Sequence, residues 1–172
     1  NTPVDVIEEA CQKASEFGVV TPANYNTPSQ IVIGGEVAAV DRAVELLKEA
    51  GTKRILPLNV SGPFHTALLE PASQKLAEVL TEVQFNDFNC PLVGNTEAKI
   101  MEKDRIAELL TRQVKEPVRF YEIIALMTEA GVTRFIEVGP GKVLSGFVKK
   151  IDRTADLANV EDQASLETLI NN

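Results

Sequence analysis

Apolar residues recur at helical spacing near the start of the chain. Val4, Ile7, Ala10, Cys11, Ala14 and Phe17 share one side of a 3.6-residue period, and Gly18 follows as a stop. The spacing predicts a helix over 3–17, with Thr2 as its cap and Pro3 at its first position. The pattern then becomes that of strands. Residues 19–26 read as a strand near a sheet edge, because Pro22 cannot donate to a central ladder. Asn26-Thr27-Pro28-Ser29 is turn chemistry, and the β-branched run at 30–35 is a second strand, so the two make a hairpin. A helix is expected over 36–50, with Val37, Val40, Val44, Leu46 and Leu47 as its apolar stripe and Gly51 as its end. Residues 53–58 read as a third strand. One strand ahead of Asn1 would complete the order βαββαβ, the ferredoxin-like arrangement. The opening at Asn1 without a methionine gives the same expectation, that the chain is a piece of a longer polypeptide.

The second half alternates between the two periods. Helices are expected over 68–83, 104–114, 118–130, 142–151 and 165–170, and strands over 89–95, 134–138 and 157–160. Such alternation predicts an α/β protein with a mostly parallel sheet covered on both faces.

Composition adds exclusions. Hydrophobic residues make up 44% and charged residues 24% of 172, which fits a globular chain with a core. A net charge of −8 argues against nucleic acid as a partner. No apolar run approaches bilayer length, and the start carries no signal-peptide pattern, so no membrane association is expected. Cys11 and Cys90 lie far apart without CxxC spacing, and His65 is the only histidine. No disulfide framework, metal site or cofactor is therefore expected, and a reducing cytoplasmic setting fits best.

Candidate chemistry centres on Asn59-Val60-Ser61-Gly62-Pro63-Phe64-His65-Thr66. A histidine can take and return a proton near neutral pH, and Gly62 and Pro63 place it in a loop. Taken alone, a single histidine is more often structural than catalytic. Ser61 stands near it without the strand-turn-helix setting of a nucleophile elbow. Gly139-Pro140-Gly141-Lys142 lacks the spacing of a nucleotide loop and reads as a tight turn before a helix. Glu137 ends a strand, where sites in open α/β sheets collect, yet a structural role is the commoner outcome. Two basic groups stand out in an acidic chain: Arg112, Lys115 and Arg119, and Lys142, Lys149, Lys150 and Arg153.

Four stretches together resemble one family. Ser61-Gly62-Pro63-Phe64-His65-Thr66 is similar to the histidine loop of malonyl-CoA:acyl-carrier-protein transacylases and of synthase acyltransferase domains. Asn24-Tyr25-Asn26-Thr27-Pro28-Ser29-Gln30-Ile31-Val32-Ile33 resembles the family's NxNSPxQxV hairpin. Arg112-Gln113 with Pro117-Val118 resembles its RQxxxPV stretch, and Glu137-Val138-Gly139-Pro140-Gly141-Lys142-Val143-Leu144 its ExGPGxxL turn. Their order and spacing span almost the whole chain, and the stand-alone bacterial type is most similar.

The resemblance implies an α/β-hydrolase-like subdomain with an inserted ferredoxin-like subdomain lacking its first strand. Residues 1–58 would belong to the small subdomain and 59–172 to the C-terminal part of the large one. It further implies transfer of a malonyl group from malonyl-CoA to the phosphopantetheine thiol of acyl carrier protein, in a monomer, through a serine acyl-enzyme. His65 would be the general base, oriented by the backbone carbonyl of Gln113. Phe64 and Asn24 would contact substrate, with Phe64 as a wall against an α-branch. The serine itself, in a GHSxG elbow, is not in these residues. Two alternatives stand beside this reading: a non-catalytic ferredoxin-like ligand-binding module, and a synthase acyltransferase fragment with another acyl preference.

Overall fold

The computed structural model describes residues 2–171, which form two compact units, one running to Phe120 and the other starting at Tyr121. This break falls well beyond residue 58. Among the described residues no helix is long and apolar enough to cross a membrane.

The first unit is built on a hairpin. Strands β1 (Val20–Thr27) and β2 (Gln30–Gly35) pair antiparallel, and helices α1 (Val4–Ala14) and α2 (Val37–Glu49) pack against them. The core here is made of small side chains: Cys11, Ala14, Val20, Ala39 and Ala43 are buried, with Ile7, Ile33, Val40 and Leu46 against them. The buried stripe of α2 is Ala39, Ala43 and Leu47, whereas Val37 is 77% exposed. Alanines win the inward positions because two helices sharing a short hairpin must approach closely. Burial pushes the Cys11 thiol up to about 11, with the Glu8 carboxylate adding to the rise, so it is an inert core group. Gly35 is required by close approach: its φ is +158°, and a Cβ there would lie 2.0 Å from the Val19 carbonyl oxygen. At the start of α1, Thr2 does not cap. Pro3 is the residue before the helix, and the Thr2 hydroxyl pairs with that of Thr52 at 2.8 Å.

Residues 53–58 do not form the expected strand. A strand exists only by pairing, and no described segment pairs with them, so Leu56 and Leu58 stay 63% and 58% exposed. The segment at 89–95 is likewise reduced to one antiparallel bridge, Val93 to Ile100. The chain doubles back there, with the Gly94 N–H on the Lys99 carbonyl and the Met101 N–H on that of Leu92. Helices α3 (Glu70–Leu80) and α4 (Ile106–Arg112) complete this unit. The buried Ser73 hydroxyl joins them by donating to the Thr111 carbonyl at 2.7 Å. Val118, expected in a helix, instead bridges parallel to Asn24 on β1. Its N–H donates to the Ala23 carbonyl and its carbonyl accepts from the Tyr25 N–H, so helix α5 (Phe120–Glu129) begins after it.

In the second unit β3 (Arg134–Val138) pairs parallel with β4 (Asp156–Val160), followed or flanked by α6 (Val143–Ile151) and α7 (Gln163–Asn171). Parallel pairing was expected, but it spans these two strands alone among the described residues. The Gly139-Pro140-Gly141 turn is a connector. The Asn159 amide donates to the Gly141 carbonyl at 2.7 Å, and the Gly141 N–H reaches the Glu161 carboxylate at 3.0 Å. Glu137 serves this turn structurally. Its carboxylate accepts from the Leu144 N–H at 3.0 Å, and from the Ser145 N–H and hydroxyl at 2.7 Å each. These are orphan donors of the first turn of α6, satisfied here by a residue outside the helix. Burial pushes the Glu137 carboxyl up, but hydrogen bonds from Ser145 and Leu144 outweigh it and hold it below the usual range.

A carboxyl whose folded pKa lies below its unfolded value, about 4.3, contributes stability that is fully present above that value. The contribution is lost as pH falls through the lower, folded value. Glu137→Gln is therefore expected to lower the Tm of the protein at neutral pH by roughly 2–4 °C, the effect of a lost cap. Thermal melts should show the difference from wild type shrinking as the pH is taken below about 4.

Candidate functional site

His65 follows Pro63 and Phe64 in the loop between α2 and α3, and it takes a left-handed backbone with φ 60°. That conformation is uncommon for a residue with a Cβ and costs on the order of 1–2 kcal/mol. Three groups hold it there. The His65 N–H donates to the Val114 carbonyl at 3.2 Å, and its ring Nδ1 lies 2.8 Å from the Gln113 carbonyl oxygen. The next residue, Thr66, is wholly buried, and its hydroxyl donates to the Pro63 carbonyl at 2.7 Å, closing the loop on itself. Gly34 on β2 makes room for Thr66, since a Cβ there would meet its methyl at 3.3 Å. Thus the hairpin backs the loop and the end of α4 grips it.

The Nδ1 contact fixes the chemistry of the ring. A carbonyl oxygen only accepts, so Nδ1 must carry the proton. In the neutral imidazole Nε2 is then an unprotonated acceptor. Gln113 thus acts through its backbone, at the end of a helix where carbonyls lack intrahelical partners. Phe64 is 54% exposed beside the histidine. Asn24 is half-buried on β1, opposite Val118, and so lies on the strand that anchors the exit of the 112–116 turn.

Ion pairs surround this turn. Arg112 binds Glu116 through Nε at 2.8 Å and Nη2 at 3.0 Å, and its Nη1 reaches Glu97 at 2.6 Å and Glu108 at 3.0 Å. Arg105 grips Glu97 through both terminal nitrogens at 2.9 Å and also meets Glu108. Lys115 pairs with Glu70 on α3. The Arg112 and Lys115 group is therefore charge-compensated and is not an open basic patch. Sequence reading saw only the positive members. The signal for the rest was the set of Glu residues at 97, 108 and 116, and only folding shows that Glu97 joins them. Among the described residues no cluster of His, Cys, Asp and Glu suits a metal ion.

Comparison with known proteins places the chain in a family. The acyl transferase domain family matches residues 4–172. Malonyl CoA-acyl carrier protein transacylases of Bacillus subtilis (strain 168) and Escherichia coli (strain K12) are 46% and 42% identical over 96% and 93% of this chain. These matches cover 53% and 52% of those proteins, so the chain spans about half the length of the curated relatives it matches. The crystal structure of MCAT from Streptococcus pneumoniae superposes with a TM-score of 0.96 at 78% identity, over 99% of this chain and 56% of that one. A malonyl-transacylase solved in complex with a type II PKS acyl-carrier protein superposes with a TM-score of 0.93 at 44% identity, over 100% of this chain and 56% of that one. With a fold shared along its length and a family match running from residue 4 to residue 172, the chain belongs to the acyl transferase domain family and has its α/β fold.

Proposed function

We propose that the chain forms the histidine-bearing part of a malonyl-CoA:acyl-carrier-protein acyltransferase of fatty acid biosynthesis. His65 is the general base, and the serine nucleophile lies outside these residues. The observation that carries the reading is the 2.8 Å contact between His65 Nδ1 and the Gln113 carbonyl, which leaves Nε2 as the proton acceptor. Names of the relatives supply the substrates, and the family match argues against a non-catalytic binding module.

The reaction follows in two half-steps. His65 Nε2 takes the serine hydroxyl proton as the oxygen attacks the malonyl thioester carbonyl. The tetrahedral intermediate collapses, the C–S bond breaks, and CoA leaves as the thiol, its sulfur taking the proton from Nε2, which is again a free acceptor. The phosphopantetheine thiol then gives its proton to Nε2 while its sulfur attacks the acyl-serine. Collapse breaks the C–O bond, and Nε2 returns the proton to the serine oxygen. No cofactor is called for. In this proposal residues 1–58 form the ferredoxin-like subdomain and 59–172 the C-terminal part of the hydrolase-like one. Phe64 walls the acyl pocket, Asn24 contacts substrate, and the enzyme works as a cytoplasmic monomer. The basic group around Lys149, exposed at the end of α6, suits an acidic carrier protein.

In the full-length protein, His65→Ala is expected to lower kcat roughly 10²–10⁴-fold, read by transfer of radiolabelled malonyl to carrier protein. The intact mass of the wild type should gain one malonyl group on incubation with malonyl-CoA; no adduct overturns the reading. Gln113→Ala, which keeps the carbonyl, should leave kcat within a few-fold. Phe64→Ser should shift the malonyl to methylmalonyl ratio of kcat/KM by about tenfold toward the branched substrate, as competition assays would show. Lys149→Glu should raise the KM for carrier protein and spare that for malonyl-CoA; equal effects on both would remove Lys149 from the docking surface.

A further inference from the structure

We infer that Arg112 is a positioning residue for His65, acting through the 112–116 turn; this rests on the reading of His65 as the base. Arg112 touches neither the histidine nor a reacting group. Its side chain reaches forward past the end of α4 to bind both oxygens of Glu116, while its carbonyl accepts from the Lys115 and Glu116 N–H groups. The turn is thus closed twice, by backbone and by side chains. Between those two closures stand two carbonyls that bond to His65, those of Gln113 and Val114. Lys115 ties the same turn to Glu70, at the start of the helix that follows the histidine loop.

A carbonyl is a weak handle unless its peptide plane is fixed. A rotation of the 113–114 peptide would keep the chain intact yet aim the oxygen away from Nδ1. The planar guanidinium fork of Arg112 resists this, because it binds Glu116 on one edge and Glu97 and Glu108 on the other. Hydrogen bonds from Arg105 first and then Arg112 hold the Glu97 carboxyl down at about 2. Glu97 therefore stays ionised across the range in which an imidazole titrates. Removing Arg112 frees the turn and also leaves Glu97, Glu108 and Glu116 with one guanidinium among them. Removing only the Glu116 charge frees the turn and leaves the other pairs in place.

The test uses the full-length protein with Arg112→Ala, Arg112→Lys and Glu116→Gln. Two readouts are taken: malonyl-transfer kinetics, and the imidazole nitrogen shifts of His65 by long-range 1H–15N NMR, assigned by their loss in His65→Ala. Arg112→Ala and Glu116→Gln should lower kcat roughly 10–100-fold with KM for malonyl-CoA nearly unchanged, as a base displaced by about 1 Å would. The wild type should show the Nδ1–H tautomer, and both variants a mixture with Nε2–H, the form a free histidine side chain favours in water. Arg112→Lys, with charge but no fork, should recover part of both signals. If Arg112→Ala fails to fold, Glu116→Gln decides alone. Unchanged kcat and an unchanged Nδ1–H tautomer in the folded variants would overturn the inference, even with a lowered Tm. A wild type that transfers no malonyl group but whose variants lose the tautomer would sink the proposed activity and leave the positioning role standing.

Discussion

Everything in the first unit converges on one hydrogen bond, from His65 Nδ1 to the Gln113 carbonyl at 2.8 Å. It decides which imidazole nitrogen carries a proton, and so which one can take one. The left-handed backbone of His65 and the buried Thr66 hydroxyl make sense only as its supports. A carboxylate in place of the carbonyl would hold the same tautomer but bring a charge into a half-buried loop and require its own desolvation. A carbonyl at a helix terminus has a partial negative charge, a fixed direction and no such cost.

The rest of the unit supplies rigidity to the two ends of that bond. On the histidine side, the hairpin's Gly34 admits Thr66. On the carbonyl side, Val118 bridges β1 beside Asn24, the Ser73 hydroxyl ties α3 to the last turn of α4, and the arginine cluster closes the turn. The bond is therefore held by elements distant in sequence, with residues 65 and 113 separated by 48 positions. Local propensity has little part in this. Long-range packing and a few hydrogen bonds to backbone carbonyls hold this loop residue on the scaffold.

The sequence was legible where physics is local. Helical periods placed α1, α2, α6 and the hairpin to within a few residues, because amphipathicity and turn chemistry act over short windows. It misled where the outcome depends on partners. Residues 53–58 are apolar and β-branched enough for a strand but have none to pair with among the described residues. Val118 looked like the start of a helix, yet its N–H and carbonyl are taken by β1. The inward face of α2 went to alanines because closeness of packing outweighed hydrophobicity. At the site, His65 and its loop could be read from residue types, whereas Arg112 looked like surface charge. Its closest carboxylate, from Glu97, lies 15 positions away, a spacing that no helical rule anticipates.

With a net charge of −8, most cations have an acidic neighbour available, so a run of Arg and Lys in sequence does not predict positive potential. Arg105, Arg112 and Lys115 are spent on Glu97, Glu108, Glu116 and Glu70. Exposed pairs of this kind contribute little to stability one at a time. A shared network differs, because Glu97 and Glu108 each bind both Arg105 and Arg112, so neither guanidinium can rotate alone. The return is directional: the network's order is passed to a peptide plane, and from there to the imidazole. Ion pairs here set geometry where they would add little to the free energy of folding.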